Sequence, residues 1–368
     1  TVNNIGNTEI TSFEANYTIE GYGTVSEIFS EKIAPSDNKT LTFKKEVYLM
    51  PGTHTIKINI LNVNSENDIN LDNNTLSKDV RAYMKEVERT PLVEHFSSST
   101  CVNCVTADST LLTLTHDNEG RYTYVKYPWD YPRPGDPYYI EDCKVRGQYY
   151  GVNGVPDIIF DGNTKTKEPK QSHFDNRFAI PSYIDIAGAF NIEEKTVKVT
   201  ADIVSYIDMS DIRVFVTVNE KTTTGNALPK DEGGNGVEEF HHVLMSMLTG
   251  TEGIDTSFSI GQYQRYEFSC DMSDTKVEEM EDLEVAVWVQ KYDSKEVFNS
   301  SFLYEYTDHP YPVQNLKLED KTLSWEAPEK GAPVGYNVYV NNKLAAEKIT
   351  ETSHTIKDAN ENVVIEVF

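Results

Sequence analysis

Apolar and polar positions alternate from Ile10 to Ile19, again from Leu41 to Tyr48, and, after a Pro51-Gly52 turn, from Thr53 to Val63. A period of two predicts half-buried strands, and no helical period competes with it over residues 1–84. The pattern changes near residue 86. A short β-type run, Pro91 to Phe96, leads into the polar turn Ser97-Ser98-Ser99-Thr100 and two cysteines. Cys104, Ala107, Leu111 and Leu114 then recur at helical spacing, with Asp108 and Ser109 off that face and Gly120 as a stop. A strand from Tyr122 to Tyr127, a Pro-rich aromatic stretch, a helix from about Tyr138 to Tyr149 and a strand in "GVNGVPDIIFDGN" complete an alternating order. From Tyr183 to Tyr306 the β pattern returns. The glycine-rich stretch Asp231–Gly236 within it reads as a mobile loop, because glycines weaken a strand interior.

Composition narrows the classes. The 368 residues predict several domains. Their formal charge of −26 argues against a nucleic-acid partner, whose phosphates require a basic surface. With 38% hydrophobic and 11% aromatic residues, the chain has the apolar surface to fill several cores. No run approaches the roughly 18–20 apolar residues of a membrane helix. The chain opens on Thr1 without a signal-peptide pattern, so the expectation is that an export signal or lipid anchor was removed upstream.

The four cysteines, at 101, 104, 143 and 270, are too few to staple such a chain. A Cys101–Cys104 bridge closes a very short loop, for which chain entropy gives only about 2 kcal/mol. Redox chemistry or metal binding explains a C-x-x-C better. Zinc would need a second ligand pair, and His116 stands alone. The helical register turns Cys104 to the core and leaves Cys101 at the helix N-terminus, where unpaired N–H groups stabilise a thiolate. Cys143 is either a third thiol near the pair or a free buried cysteine, and a bridge to Cys270 is a further option.

Three resemblances follow from particular residues. "PGTHTIKI" followed by "NSENDINLDNNTLSKDV" resembles the cell-adhesion-related bacterial domain, an immunoglobulin-like sandwich without catalytic residues. "LVEHF…CVNC" with "YGVNGVPDIIFDG" resembles the thioredoxin fold over residues 85–181. That resemblance implies that Pro156 is a cis-proline facing the dithiol, with Val155 offering its backbone to an extended substrate. It also puts His95, six residues before Cys101, where thioredoxins hold a proton-moving carboxylate; Glu94 should face the other side of the strand. The chain departs from that family in lacking a Trp before Cys101, in having Val102-Asn103 between the cysteines, and in the insertion at 128–137. The segment from Pro312, with Trp325 on its second strand and Tyr336 and Tyr339 on its third, resembles an incomplete fibronectin type III repeat over residues 309–368. In this order, with a β-sandwich at 182–308, the domains resemble the outer membrane protein 28-related family of Bacteroidetes. The family implies an exported, usually lipid-anchored envelope protein.

The expected architecture is therefore multidomain and mainly β, with β-sandwiches flanking one α/β thioredoxin-like domain. Candidate chemistry rests on Cys101 as nucleophile, Cys104 as resolver, Pro156 as backbone support and His95 as proton carrier. Trp129, Tyr131 and Arg133 form a candidate binding rim with Val155. His241 and His242 are adjacent on a strand and point to opposite faces, so they cannot serve one ion. Asp68 to Asn74 spaces oxygens like a calcium loop but lacks its glycine, and reads as a capped turn. No metal or cofactor is expected. The leading functional expectation is binding or adhesion to a protein or glycan ligand at the cell surface, with membrane contact only through the removed anchor. Its alternative is thiol–disulfide exchange.

Overall fold

A computed structural model describes the chain apart from residues 67, 69, 226–227, 307–312, 330–332, 334, 341–342, 357–364 and 368. The expected opening of the last repeat at Pro312 lies outside the described residues. Two compact units emerge, Thr1–Met84 and Lys85–Phe368.

In the first unit, β1 (Val2–Asn3) pairs with β4 (Asn38–Lys39), while β2 (Phe13–Ile19), β3 (Gly23–Phe29), β5 (Gly52–Leu61) and β6 (Thr75–Ala82) form an antiparallel sheet in the order β3-β2-β5-β6. The alternation in β2 buries Phe13, Ala15, Tyr17 and Ile19 on one face. Residues 41–48, expected as a strand, form none. Their apolar side chains Leu41, Phe43 and Val47 still pack on the core. Side chains take over the hydrogen bonding there: Glu27 Oε1 accepts from the amides of Lys44 (2.6 Å) and Lys45 (3.0 Å), and Tyr17 donates to the Lys45 carbonyl. Alternation thus reported burial correctly but not ladder pairing. In the expected capped turn, Asp68 Oδ1 accepts from the Asn70 amide and Asn70 Oδ1 from the Asp72 amide.

The second unit opens with β7 (Leu92–Ser97), α1 (Cys104–Asp117), β8 (Thr123–Pro128), α2 (Glu141–Tyr150), β9 (Asp157–Phe160), β10 (Thr164–Thr166) and α3 (Gln171–Phe178). Strand β7 lies parallel to β8 and antiparallel to β9, in the order β10-β9-β7-β8. All six residues of β7 are buried because helices or neighbouring strands cover both faces. Next come β11 (Ile184–Glu193), β12 (Thr196–Ser205), β13 (Met209–Thr223), β14 (Phe240–Met247), β15 (Ile254–Phe258), β16 (Tyr263–Asp271), β17 (Leu283–Lys291), β18 (Val297–Phe302) and β19 (Tyr304–Glu305). The sheet continues through them as β8-β14-β13-β17-β18, joined where Lys126 of β8 lies beside Val243 of β14. Its β13–β17 region shares a core with the second layer, β16-β12-β11-β19.

A buried network ties α2 to both parts. Arg146 donates to Glu94 Oε1 of β7 at 2.8 Å and to Gln290 of β17 at 2.7 Å, and Tyr127 and Tyr150 also donate to the Glu94 carboxylate. Glu94 does face away from His95, as the strand period requires, yet it is fully buried.

The remaining strands, β20 (Gln314–Glu319), β21 (Thr322–Glu326), β22 (Tyr336–Val340), β23 (Lys343–Ile349), β24 (Ser353–Thr355) and β25 (Ile365–Val367), make two three-stranded sheets. Leu323, Trp325, Tyr336 and Val338 fill the core. The protein is thus multidomain and mainly β, with one α/β thioredoxin-like domain among β-sandwiches.

Candidate functional site

Cys101 and Cys104 form a disulfide at the start of α1. Helix α1 begins at Cys104, so Cys101 sits in the preceding turn and not in the first helical turn. The Cys101 amide donates to the Ser98 carbonyl at 3.1 Å, and the Cys104 amide to the Cys101 carbonyl at 3.2 Å. Across the turn, Val155-Pro156 is a cis peptide, and Cys101 Sγ lies 3.6 Å from the Val155 carbonyl oxygen. Cys101, Cys104 and Val155 share one core cluster, and Pro156 is joined to Val155 through the cis bond, the juxtaposition that the thioredoxin resemblance implies.

The environment differs from that expectation. Cys101 is only 3% exposed, whereas Val102 beside it is 71% exposed. Ser98, Ser99 and Thr100 are buried too. Asp136 accepts from the Ser99 amide at 2.7 Å and from the Tyr138 amide at 3.0 Å, and its carboxyl is pushed up by burial. Thr100 donates to the Arg133 carbonyl.

The glycine-rich stretch, read from composition as mobile, is docked on this turn. The Asn235 amide donates to the Ser99 carbonyl at 2.7 Å, and the Asn235 side chain donates to the carbonyls of Ser98 (3.1 Å) and Cys101 (3.2 Å). Arg133 Nη2 holds the Gly233 carbonyl at 3.1 Å. Gly233 has φ +103°, a conformation that side chains other than glycine rarely adopt. The glycines therefore shape a strap that crosses the dithiol turn.

The expected rim divides. Trp129 packs inward, edge-on to Phe96, and against Gly147 of α2 so closely that a Cβ at 147 would lie 2.1 Å from its ring. Tyr131 is 50% exposed. Arg133 is engaged by the strap.

His95 is fully buried, its Nδ1 2.7 Å from the Tyr124 hydroxyl. Burial pushes its pKa down to about 3, with Asp108 opposing and Lys126 assisting, so the ring is neutral. Asp108 Oδ1 lies 3.5 Å from His95 Nδ1 and 3.0 Å from Lys126 Nζ, and it accepts from Ser97 Oγ. Sequence periodicity put Asp108 off the buried face, yet its side chain is 11% exposed and that of Lys126 5%. The spacing of four from Cys104 was the available signal for Asp108. No local signal marks Lys126 or Asn235, which depend on pairing distant in sequence.

Cys143 and Cys270 are both free, which removes the bridge between them. They pack in different cores: Cys143 beside the dithiol, its thiol pushed up by burial, and Cys270 against the sandwich. His241 and His242 separate as expected, with His242 Nδ1 2.7 Å from Glu284 and His241 Nδ1 3.3 Å from Thr222.

No protein-family model and no curated protein matches the chain. Among solved structures, HBP35 of Porphyromonas gingivalis is similar at 12% identity and TM-score 0.48, over 76% of this chain and 98% of that one. A protein from Agrobacterium tumefaciens is similar at 18% identity and TM-score 0.42, over 62% and 100%. A domain of the outer membrane lipoprotein Omp28 from Porphyromonas gingivalis is similar at 14% identity and TM-score 0.23, over 34% and 92%. Likenesses this loose carry no argument about activity or location.

Proposed function

We propose that this is an exported envelope or surface protein that binds a polypeptide at the rim of its thioredoxin-like domain, with the Cys101–Cys104 bridge serving as scaffold. The burial of Cys101 under the Asn235 strap carries the reading, because an attacking thiolate must reach its target. Val102, next to Cys101 in the chain, and Tyr131, whose ring lies near Gly154, are exposed and offer apolar and aromatic contact instead. The surrounding sandwiches suit display, and export follows from the family that the domain order resembles. Peptide and glycan arrays probed with the intact chain test this. Peptide binding that survives Cys101→Ser/Cys104→Ser and falls at least tenfold in Tyr131→Ala is expected. Exclusive glycan binding, or no binding, overturns it.

Thiol–disulfide exchange is the second reading, favoured by the Val155 carbonyl lying 3.6 Å from Cys101 Sγ. In it the reduced Cys101 thiolate attacks a substrate disulfide, releasing one substrate thiolate and leaving a mixed disulfide. Cys104 then resolves it, so the substrate leaves reduced and the protein oxidised. A glutathione titration tests it. A reversible couple between roughly −120 and −270 mV supports exchange, and a bridge still oxidised below about −300 mV rules it out.

A further inference from the structure

A crevice of about 410 Å³ opens beside the dithiol turn, between α1 and the segment that runs from the strap into β14. That volume falls within the roughly 300–1,000 Å³ of small-ligand sites. Val105, Leu112 and Val237 supply apolar lining, and Tyr124 and Lys126 of β8 also line it. The charge of Lys126 is already matched by Asp108 at 3.0 Å, and its ammonium lies 5.2 Å from the Phe240 ring centroid. The remaining charge is on Glu238 and Glu239, which are exposed and carry no ion pair among the described residues. His241 also lines the crevice and feels Glu239, but burial pushes its pKa down, so it offers no cation.

We propose that this crevice is a subsite for the side chain of a lysine or arginine in a basic polypeptide. Its aliphatic stem lies along Val105, Leu112 and Val237, and its cationic head meets Glu238 and Glu239. Such side chains bury a stem while keeping the charge near water. A glutamate or aspartate side chain would meet like charge at the same rim, which discriminates against acidic segments. The chain's net charge of −26 complements a basic partner at longer range and speeds its encounter. Val105 directly follows Cys104, so the subsite adjoins the proposed polypeptide rim. The inference rests on the binding reading and adds a residue preference to it.

Methyl NMR of the whole chain with labelled Val and Leu tests the subsite directly, using Nα-acetyl-lysine amide and Nα-acetyl-arginine amide as probes. Saturable shifts confined to Val105, Leu112, Val237 and their neighbours are expected. Glu238→Gln/Glu239→Gln should weaken them at least fivefold, as should 0.5 M NaCl through screening. Equal binding of Nα-acetyl-norleucine amide or Nα-acetyl-glutamate amide would overturn the proposal, as would shifts scattered over the surface or none at all. Array peptides that bind without Lys or Arg enrichment would remove this subsite and leave the binding reading intact. Probes that fill the crevice while no peptide binds would do the reverse.

Discussion

Asn235 donates its side-chain amide to the carbonyl of Cys101 at 3.2 Å across 134 residues of chain. The same amide reaches Ser98, and the Asn235 backbone reaches Ser99, so one residue of the strap fastens three residues of the dithiol turn. Accessibility of the bridge is thereby set by a segment outside the thioredoxin-like domain. If the strap limits access, its local opening should expose Cys101 without unfolding of β7 or α1.

Removing that fastening should expose the bridge. Asn235→Ala deletes three side-chain hydrogen bonds, one of them from the Val237 amide within the strap. The two to the dithiol turn are together worth about 1–2 kcal/mol, and the backbone bond to Ser99 remains. Reduction by a phosphine, followed by alkylation and mass spectrometry, should run roughly five- to thirtyfold faster than in the parent chain. An unchanged rate would mean that the strap does not limit access.

The Glu94–Arg146 pair should carry much of the stability of the second unit. Both side chains are fully buried, and the guanidinium also stacks near Phe215 and Trp288. Arg146→Met leaves the Glu94 carboxylate buried with only tyrosine donors, which costs about 3–5 kcal/mol. Adding Glu94→Gln removes the stranded charge and should recover part of the loss. Denaturant midpoints of the three chains check this, and equal stability of the single and double variants would contradict it.

Local pattern carried a good part of this architecture. Burial in β2 and the strand–helix alternation from β7 to β9 follow from side-chain period and turn residues. The meeting of Cys101 with Val155 followed from a resemblance carried by two short motifs. What stayed hidden depends on contacts distant in sequence. The junction of Lys126 with Val243 merges two sheets through one parallel register that neither strand announces. Asp108 does lie off the stripe of Cys104, Ala107 and Leu111, but the period cannot announce that His95, Ser97 and Lys126 meet it there. The strap looked mobile because glycine content reports conformational freedom, whereas docking depends on the acceptors it meets.

Trp129 should report on its own packing. Gly147→Ala places a methyl carbon within 2.1 Å of the indole, so ring or helix must shift. Overpacking of this kind costs about 1–3 kcal/mol. Tryptophan emission should move to the red as Trp129 leaves the Phe96 edge. If emission and midpoint both stay unchanged, Trp129 is not packed inward and returns as a candidate platform for ligand.

His95 should make stability fall with acid over a defined window. Its folded pKa is about 3 against an unfolded value near 6.5, because burial disfavours the imidazolium. Between these values the unfolded chain binds more protons, so stability present above pH 6.5 is lost progressively as pH falls toward 3. From pH 7 to pH 5 the loss from this group is about 2 kcal/mol. Carboxylates titrate as well, so the test is a difference: urea midpoints at pH 7 and pH 5 for the parent chain and for His95→Gln. The variant is expected to be less stable at pH 7, where Tyr124 loses its ring partner, yet to lose about 2 kcal/mol less between the two pH values. Parallel loss in both chains would show that His95 is charged in the folded protein, held by Asp108 at 3.5 Å. The ring would then be an imidazolium in an ion pair, and the neutral ring described above would be excluded.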